Sequence, residues 1–179
     1  YTTVYSDDFT SAALEWPETD TKDATIQKRH NGYYIAHKRS KESWVTYKSI
    51  GFRPDDDFVL ETKIMKIDGT QTHGYGMIWG YNKEPRNYYR FMITGNGSYC
   101  IDKVTDDKYS VIQDWTPSPH IVKGNASLNT LTIKRTGDTI NFIINDNQVT
   151  TMKYERPSYA KCGFSVANSQ SIEVKSITF

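Results

Sequence analysis

Cysteine is almost absent from this sequence. Among 179 residues only Cys100 and Cys162 are cysteines, and they form neither a CxxC pair nor a Cys/His zinc spacing. They read as two buried thiols, since a free cysteine packs like a small hydrophobe; one disulfide, suited to an exported protein, is the alternative. An excess of charge is also missing. Lys plus Arg is 22 and Asp plus Glu is 21, a formal net charge of +1. Binding along a phosphate backbone needs a strong basic surplus, so nucleic acid is not an expected partner. No stretch approaches the ~18 consecutive apolar residues of a membrane span. No charged segment followed by an apolar one opens the chain, which starts at Tyr1. The chain reads as exported to the periplasm, cell surface or medium, either trimmed of its leader or cut from a longer protein. Helical periodicity is lacking too: no long stretch keeps the i, i+3, i+4, i+7 spacing of an amphipathic helix, and a turn at Ser11–Leu14 is the best helical candidate.

Aromatic residues are plentiful: 4 Trp, 13 Tyr and 7 Phe. They sit in runs of period two. Phe58, Leu60 and Ile64 share one face; Tyr89, Phe91 and Ile93 alternate with Tyr88, Arg90 and Met92. Tyr99 and Ile101 alternate with Cys100 and Asp102, Ile140, Phe142 and Ile144 with Asn141 and Ile143, and Cys162, Phe164 and Val166 with Gly163 and Ser165. Strict alternation marks half-buried strands. Asn31-Gly32, Asn96-Gly97, Asp106-Asp107, Gly137-Asp138 and Asp146-Asn147 separate such runs. These dipeptides tolerate the positive φ of tight hairpins. The pattern predicts an all-β chain of roughly 12 to 14 strands in two packed antiparallel sheets, forming one domain over residues 1–179. Thr116–Asn125, with Pro117 and Pro119, reads as the longest loop.

Three segments together carry a resemblance. Tyr5-Ser6-Asp7-Asp8-Phe9 is followed by Trp16. Tyr75-Gly76-Met77-Ile78-Trp79-Gly80-Tyr81 precedes Asn87-Tyr88-Tyr89-Arg90-Phe91-Met92-Ile93 and Gly97-Ser98-Tyr99. Asn129-Thr130-Leu131-Thr132-Ile133 precedes Phe142 to Val149 and Gly163-Phe164. This order resembles the concanavalin A-like lectin/glucanase jelly-roll superfamily, and more narrowly bacterial laminin-G-like modules that overlap with domains named as glycosyl hydrolases or 3-keto-disaccharide hydrolases. The resemblance implies a jelly-roll sandwich. Members of that superfamily bind carbohydrate, cleave glycosides or act as plain interaction modules, so fold does not choose among them.

Catalytic signals are sparse. Retaining glycosidases of this architecture resemble one another in a Glu-x-Asp-x-x-Glu strand, which holds nucleophile and acid ~5–5.5 Å apart. Here Glu61 is followed by no second acid until Asp68, and no catalytic residue is assigned. Asp7-Asp8, Asp55-Asp56-Asp57 and Asp106-Asp107 read as solvated turns. A structural calcium at Asp55–Asp57 is the sharper alternative, without the spacing of a calcium loop. His30, His37, His73 and His120 match no metal or triad spacing. No metal or cofactor is otherwise expected.

The strand after His73 stands out. Gly74, Gly76, Ile78 and Gly80 fall on one face, and Tyr75, Met77, Trp79 and Tyr81 on the other. The bulky face reads as core. Repeated glycine implies that something approaches the other face closely, either a loop of the same chain or a flat sugar ring. The next strand would turn Tyr88, Arg90 and Met92 outward. Tyr88 could stack on a sugar, Arg90 could offer its fork of donors, and His73 and Trp115 could border the surface. The expected ligand residues are therefore Tyr88, Arg90, His73 and Trp115. The leading functional expectation is a monomeric carbohydrate-binding or extracellular recognition module. A glycoside hydrolase and a purely structural or protein-docking domain are the alternatives.

Overall fold

The computed structural model describes residues 2–12 and 14–179. Among them strands dominate and no helix forms; the candidate helical turn at Ser11–Leu14 is a turn at Ala12 and a bend at Leu14, with Ala13 outside the described residues. The larger sheet holds nine strands: β1 (Ser6–Asp7), β2 (Thr19–Asp20), β3 (Ala24–Arg29), β4 (Gly32–His37), β6 (Val59–Gly69), β11 (Ser127–Thr136), β12 (Thr139–Ile144), β13 (Asn147–Lys153) and β15 (Gln170–Thr178). The smaller holds six: β5 (Ser43–Ser49), β7 (Gly74–Asn82), β8 (Asn87–Thr94), β9 (Ser98–Thr105), β10 (Lys108–Pro117) and β14 (Lys161–Ala167). The larger runs β13-β12-β11-β6-β15-β4-β3-β2, with β1 also on β15, and the smaller runs β10-β9-β8-β7-β14-β5. Consecutive strands joined by the expected dipeptides are neighbours, as in β3–β4, β8–β9, β9–β10, β11–β12 and β12–β13. Their turns sit at positive φ where needed, including Gly97 (96°), Asp106 (48°), Asp107 (65°) and Asp146 (66°).

The alternation places the core as the sequence implies. Leu60, Ile64, Phe91, Ile101, Phe142, Phe164 and Val166 are all fully buried between the sheets. Burying each such side chain contributes about 1.5–3 kcal/mol. Phe91 from the smaller sheet meets Phe142 from the larger edge to face, centroids 5.1 Å apart at 78°. Phe9 and Trp16 close one end, with Phe9 stacked on Tyr33 at 5.2 Å.

The strands number fifteen among the described residues, against the expected 12 to 14, and two further expectations change. Asp7 is not a solvated turn residue: it is 3% exposed and accepts hydrogen bonds from Phe9 N (2.7 Å), Trp16 Nε1 (3.0 Å) and Tyr5 Oη (3.3 Å). Burial is tolerable because three donors satisfy the carboxylate. Thr116 and Pro117 belong to β10, paired with Tyr99 and Ser98, so the loop behind them starts at Ser118 and the connection from β1 to β2 is longer. Pro117 is accommodated because β10 is an edge strand. Asp55 and Asp57 do lie at the surface, where Asp55 pairs with Arg156 and Asp57 Oδ1 accepts from Gly137 N at 2.7 Å. Among the described residues no group of three or more His, Cys, Asp or Glu side chains is placed to hold a metal. Cys100 and Cys162 are buried free thiols, and among the described residues no helix is long and apolar enough to cross a membrane.

Candidate functional site on the outer face of the smaller sheet

The β8–β9 hairpin sets the register of the outer face. Tyr88 stands opposite Val104, Arg90 opposite Asp102, and Met92 opposite Cys100, while Phe91 and Ile101 between them point into the core. Arg90 Nε donates to Asp102 Oδ1 at 2.8 Å and Nη2 to Oδ2 at 2.7 Å. Nη1 reaches the other way, to Ser43 Oγ at 3.2 Å and Ser165 Oγ at 3.3 Å. Ser165 pairs with Gly76 on β7, where an added Cβ would lie 2.1 Å from the Phe91 carbonyl oxygen of β8. Burial by itself would depress the guanidinium, but its hydrogen bonds and charge pairing with Asp102 outweigh this and hold it above its ordinary value. Tyr109 on β10 adds a bond from its hydroxyl to Asp102 Oδ2 at 3.2 Å. Burial and the Asp102 charge push the Tyr109 phenol up to about 12. Arg90 therefore uses most of its five N–H donors inside the protein. It organises the centre of the face rather than presenting a free fork.

Tyr88 lies in a row of rings. Tyr47 and Tyr81 stack with centroids 4.1 Å apart, Tyr81 and Tyr88 at 6.0 Å, and the Arg90 guanidinium sits 5.6 Å from the Tyr88 centroid. Strand β14 separates β7 from β5, and Gly163 on it lets Tyr47 and Tyr81 meet across the gap. Tyr81 was expected on the core face with Tyr75, Met77 and Trp79. Gly80 at φ 66° and a register shift between Trp79 and Asn82 turn it outward instead, while the other three stay in the core. The row is packed face to face, so edges and hydroxyls, rather than open ring faces, are what it offers a ligand.

The glycine lane is filled by the same chain. A Cβ on Gly74 would lie 2.8 Å from the Trp115 ring tip, and one on Gly80 2.5 Å from Pro157. Trp115 thus lies over Gly74 while remaining 45% exposed, and Tyr109 is 59% exposed. His73, next to Gly74, is exposed; its Nδ1 is 3.0 Å from Thr70 Oγ1 and its carbonyl accepts from Gln170 Nε2 at 3.1 Å. Trp115 and His73 therefore share one end of β7, Arg90 lies midway, and Tyr88 marks the other end. Gly74 pairs with Thr94, six residues from Tyr88, a span of about 20 Å.

Asp102 and Tyr109 were not singled out in the sequence. Counting outward from a two-residue turn at Asn96-Gly97 would set Arg90 against Lys103; the turn takes in Gly95 as well, which shifts the register by one and brings Asp102 across from Arg90. Tyr47 and Tyr81 carried no signal either, because their meeting depends on strand order. Cys100 lies on this face, but burial and the Asp102 charge push its thiol up to about 12, so it is protonated near neutrality and is no nucleophile. By register, Asp102 is the one carboxylate on the outward positions of the three central strands β7, β8 and β9. Chemically, the face combines two exposed aromatic rings, a row of phenols and a charge-neutral polar centre.

No protein-family model matches the chain, and no curated protein sequence matches it. Solved structures do match in fold. A carbohydrate-binding module, CBM66 from Bacillus subtilis, aligns over 98% of this chain and 93% of its own at 17% identity, TM-score 0.61. A Bacillus licheniformis beta-glucanase aligns over 97% and 96% at 8% identity, TM-score 0.66. A Bacillus subtilis protein of unknown function with a galectin-like fold aligns over 99% and 95% at 11% identity, TM-score 0.67. The two-sheet sandwich described above is the concanavalin A-like jelly roll, the fold that the order of turn and aromatic motifs along the chain implies.

Proposed function

We propose that the chain is a carbohydrate-binding module whose ligand lies across the outer face of the smaller sheet. The observation that carries this reading is the buried Arg90–Asp102 pair, bonded to Tyr109, between the exposed rings of Tyr109 and Trp115. A sugar needs an aromatic surface for its C–H face and fixed polar groups for its hydroxyls, and this face supplies both. Trp115 and Tyr109 would be the stacking contacts. Arg90 and Asp102 would act as positioning residues, with Tyr88 and His73 at the two ends of the face. The fold's recurrence in a carbohydrate-binding module and a glucanase supports the same class of ligand. Hydrolysis is less well supported: a glycosidase needs a second carboxylate facing the first across the sugar, and Asp102 stands alone on the central strands with both oxygens engaged.

The test is a panel of soluble and insoluble polysaccharides measured by affinity electrophoresis and calorimetry. The expected outcome is binding to at least one polysaccharide without release of reducing ends, weakened roughly ten-fold or more by Trp115→Ala or Tyr109→Ala, the loss of one aromatic contact. Absence of binding across the panel, or release of reducing sugar by the wild type, overturns the reading.

A further inference from the structure

Away from the outer face, the two sheets part on one side. There the edge strand β10 of the smaller sheet and the edge strand β13 of the larger one leave an opening of about 250 Å³. Trp79, Tyr89 and Ile112 line it from the smaller sheet, Phe142 and Met152 from the larger. Sandwich interiors are packed to crystal density, and voids larger than a water molecule are few. A smaller apolar cavity, about 150 Å³, is enough to take up benzene. The walls here are rings: Trp79 stacks on Tyr89 with centroids 5.4 Å apart at 17°, and tilts against Phe142 at 6.0 Å. At the mouth stands Glu155, its side chain 58% exposed. Its Oε2 accepts from Tyr89 Oη at 3.2 Å and from Lys103 Nζ at 2.5 Å. Lys103 holds the carboxyl below its usual range, so it is an acceptor at neutral pH. A donor carried by a ligand would be met by this carboxylate.

We infer that this opening binds a small uncharged aromatic molecule bearing a hydroxyl or amino group, its ring between Trp79, Phe142, Ile112 and Met152 and its donor on Glu155. The ring lining favours a flat apolar body, and the anchored carboxylate favours a donor over an acceptor at its edge. The site is separate from the proposed glycan face: Trp79 and Phe142 are core residues, whereas Tyr109 and Trp115 point outward.

The experiment uses the whole chain and p-cresol as probe, with toluene as the analogue lacking a donor. Binding is followed through the Met152 and Ile112 methyl resonances. Saturable shifts with p-cresol below about 10 mM are expected, with toluene roughly ten-fold weaker. Ile112→Trp, which fills the opening from its half-exposed edge, is expected to abolish the shifts, and Met152→Phe serves the same purpose if that variant does not fold. Glu155→Ala is expected to bring p-cresol down to the affinity of toluene. No saturable shift at that concentration, shifts that survive filling, or equal affinity for the two probes overturns the assignment.

Discussion

Arg90 and Asp102 face each other across β8 and β9 as a two-pronged pair, with side chains 13% and 3% exposed. Every polar contact at the centre of the outer face depends on it. Asp102→Ala would leave a guanidinium buried without its counter-charge, and is expected to cost about 3–5 kcal/mol in urea denaturation. The double variant Arg90→Met with Asp102→Leu should recover much of that stability, because apolar groups of similar volume can replace a buried pair. Equal losses in the single and double variants would show that the pair is not coupled.

Gly74 and Gly163 are both buried strand glycines, but they should respond differently to alanine. At Gly74 the new Cβ meets the tip of the exposed Trp115 ring at 2.8 Å. That ring can move, so the stability cost is expected to stay below about 2 kcal/mol while Trp115 leaves its position and glycan affinity falls. At Gly163 the Cβ would lie 1.9 Å from the Thr46 carbonyl oxygen, which is backbone and cannot yield cheaply. Gly163→Ala is expected to cost about 3 kcal/mol or more. Thermal melts of the two variants, beside their affinities for whichever polysaccharide binds, separate the two effects.

Asp7→Ala would release the Trp16 indole N–H and the Phe9 amide into a buried setting with no acceptor. The expected loss is about 2–3 kcal/mol, accompanied by a weaker near-ultraviolet circular dichroism signal as Trp16 loses its fixed orientation. Asp7→Asn keeps one acceptor oxygen and should lose less. If the two variants were equally stable, the carboxylate would not be the latch for this end of the core.

His37 is 2% exposed, and among the described residues no well-formed hydrogen bond reaches either ring nitrogen, the Asn168 backbone lying only near it. Burial, helped by the Arg39 charge, pushes its pKa below the ordinary 6.5, while the backbone of Asn168 and the charges of Glu42 and Asp23 pull the other way. The unfolded chain then binds the proton more readily than the folded one. The stability from keeping this ring neutral is present above the unfolded pKa and is lost as pH falls from about 6.5 toward the folded value. His37→Leu should therefore show a smaller drop in Tm between pH 7 and pH 5 than the wild type. An unchanged drop would assign the acid sensitivity to other groups.

Much of this fold was legible along the chain. Large apolar residues recur at every second position, as in Tyr89-Phe91-Ile93, Tyr99-Ile101 and Ile140-Phe142-Ile144, and such residues cannot share a face unless the backbone is extended. The turn dipeptides then fixed which strands are hairpin partners, because positive φ is needed locally. The Arg90–Asp102 pairing was one residue out of reach, since a two-residue turn at Asn96-Gly97 would set Arg90 against Lys103 and only the longer turn brings Asp102 across. Tyr81 was not legible either: the bulge at Gly80 breaks the period of two, and nothing in the composition announces it.

From the sequence alone came the strands, their inward faces and the absence of a retaining-glycosidase strand motif, because these rest on spacing and local φ preference. Only the tertiary structure decided that Trp115 covers Gly74, that Tyr47 meets Tyr81 across β14, that Arg90 reaches Ser43 and Ser165, and that Asp7 is buried. Each joins strands or segments distant in the sequence, and their placement is set by how two twisted sheets pack and which strands lie side by side. Spacing along one chain does not encode that order.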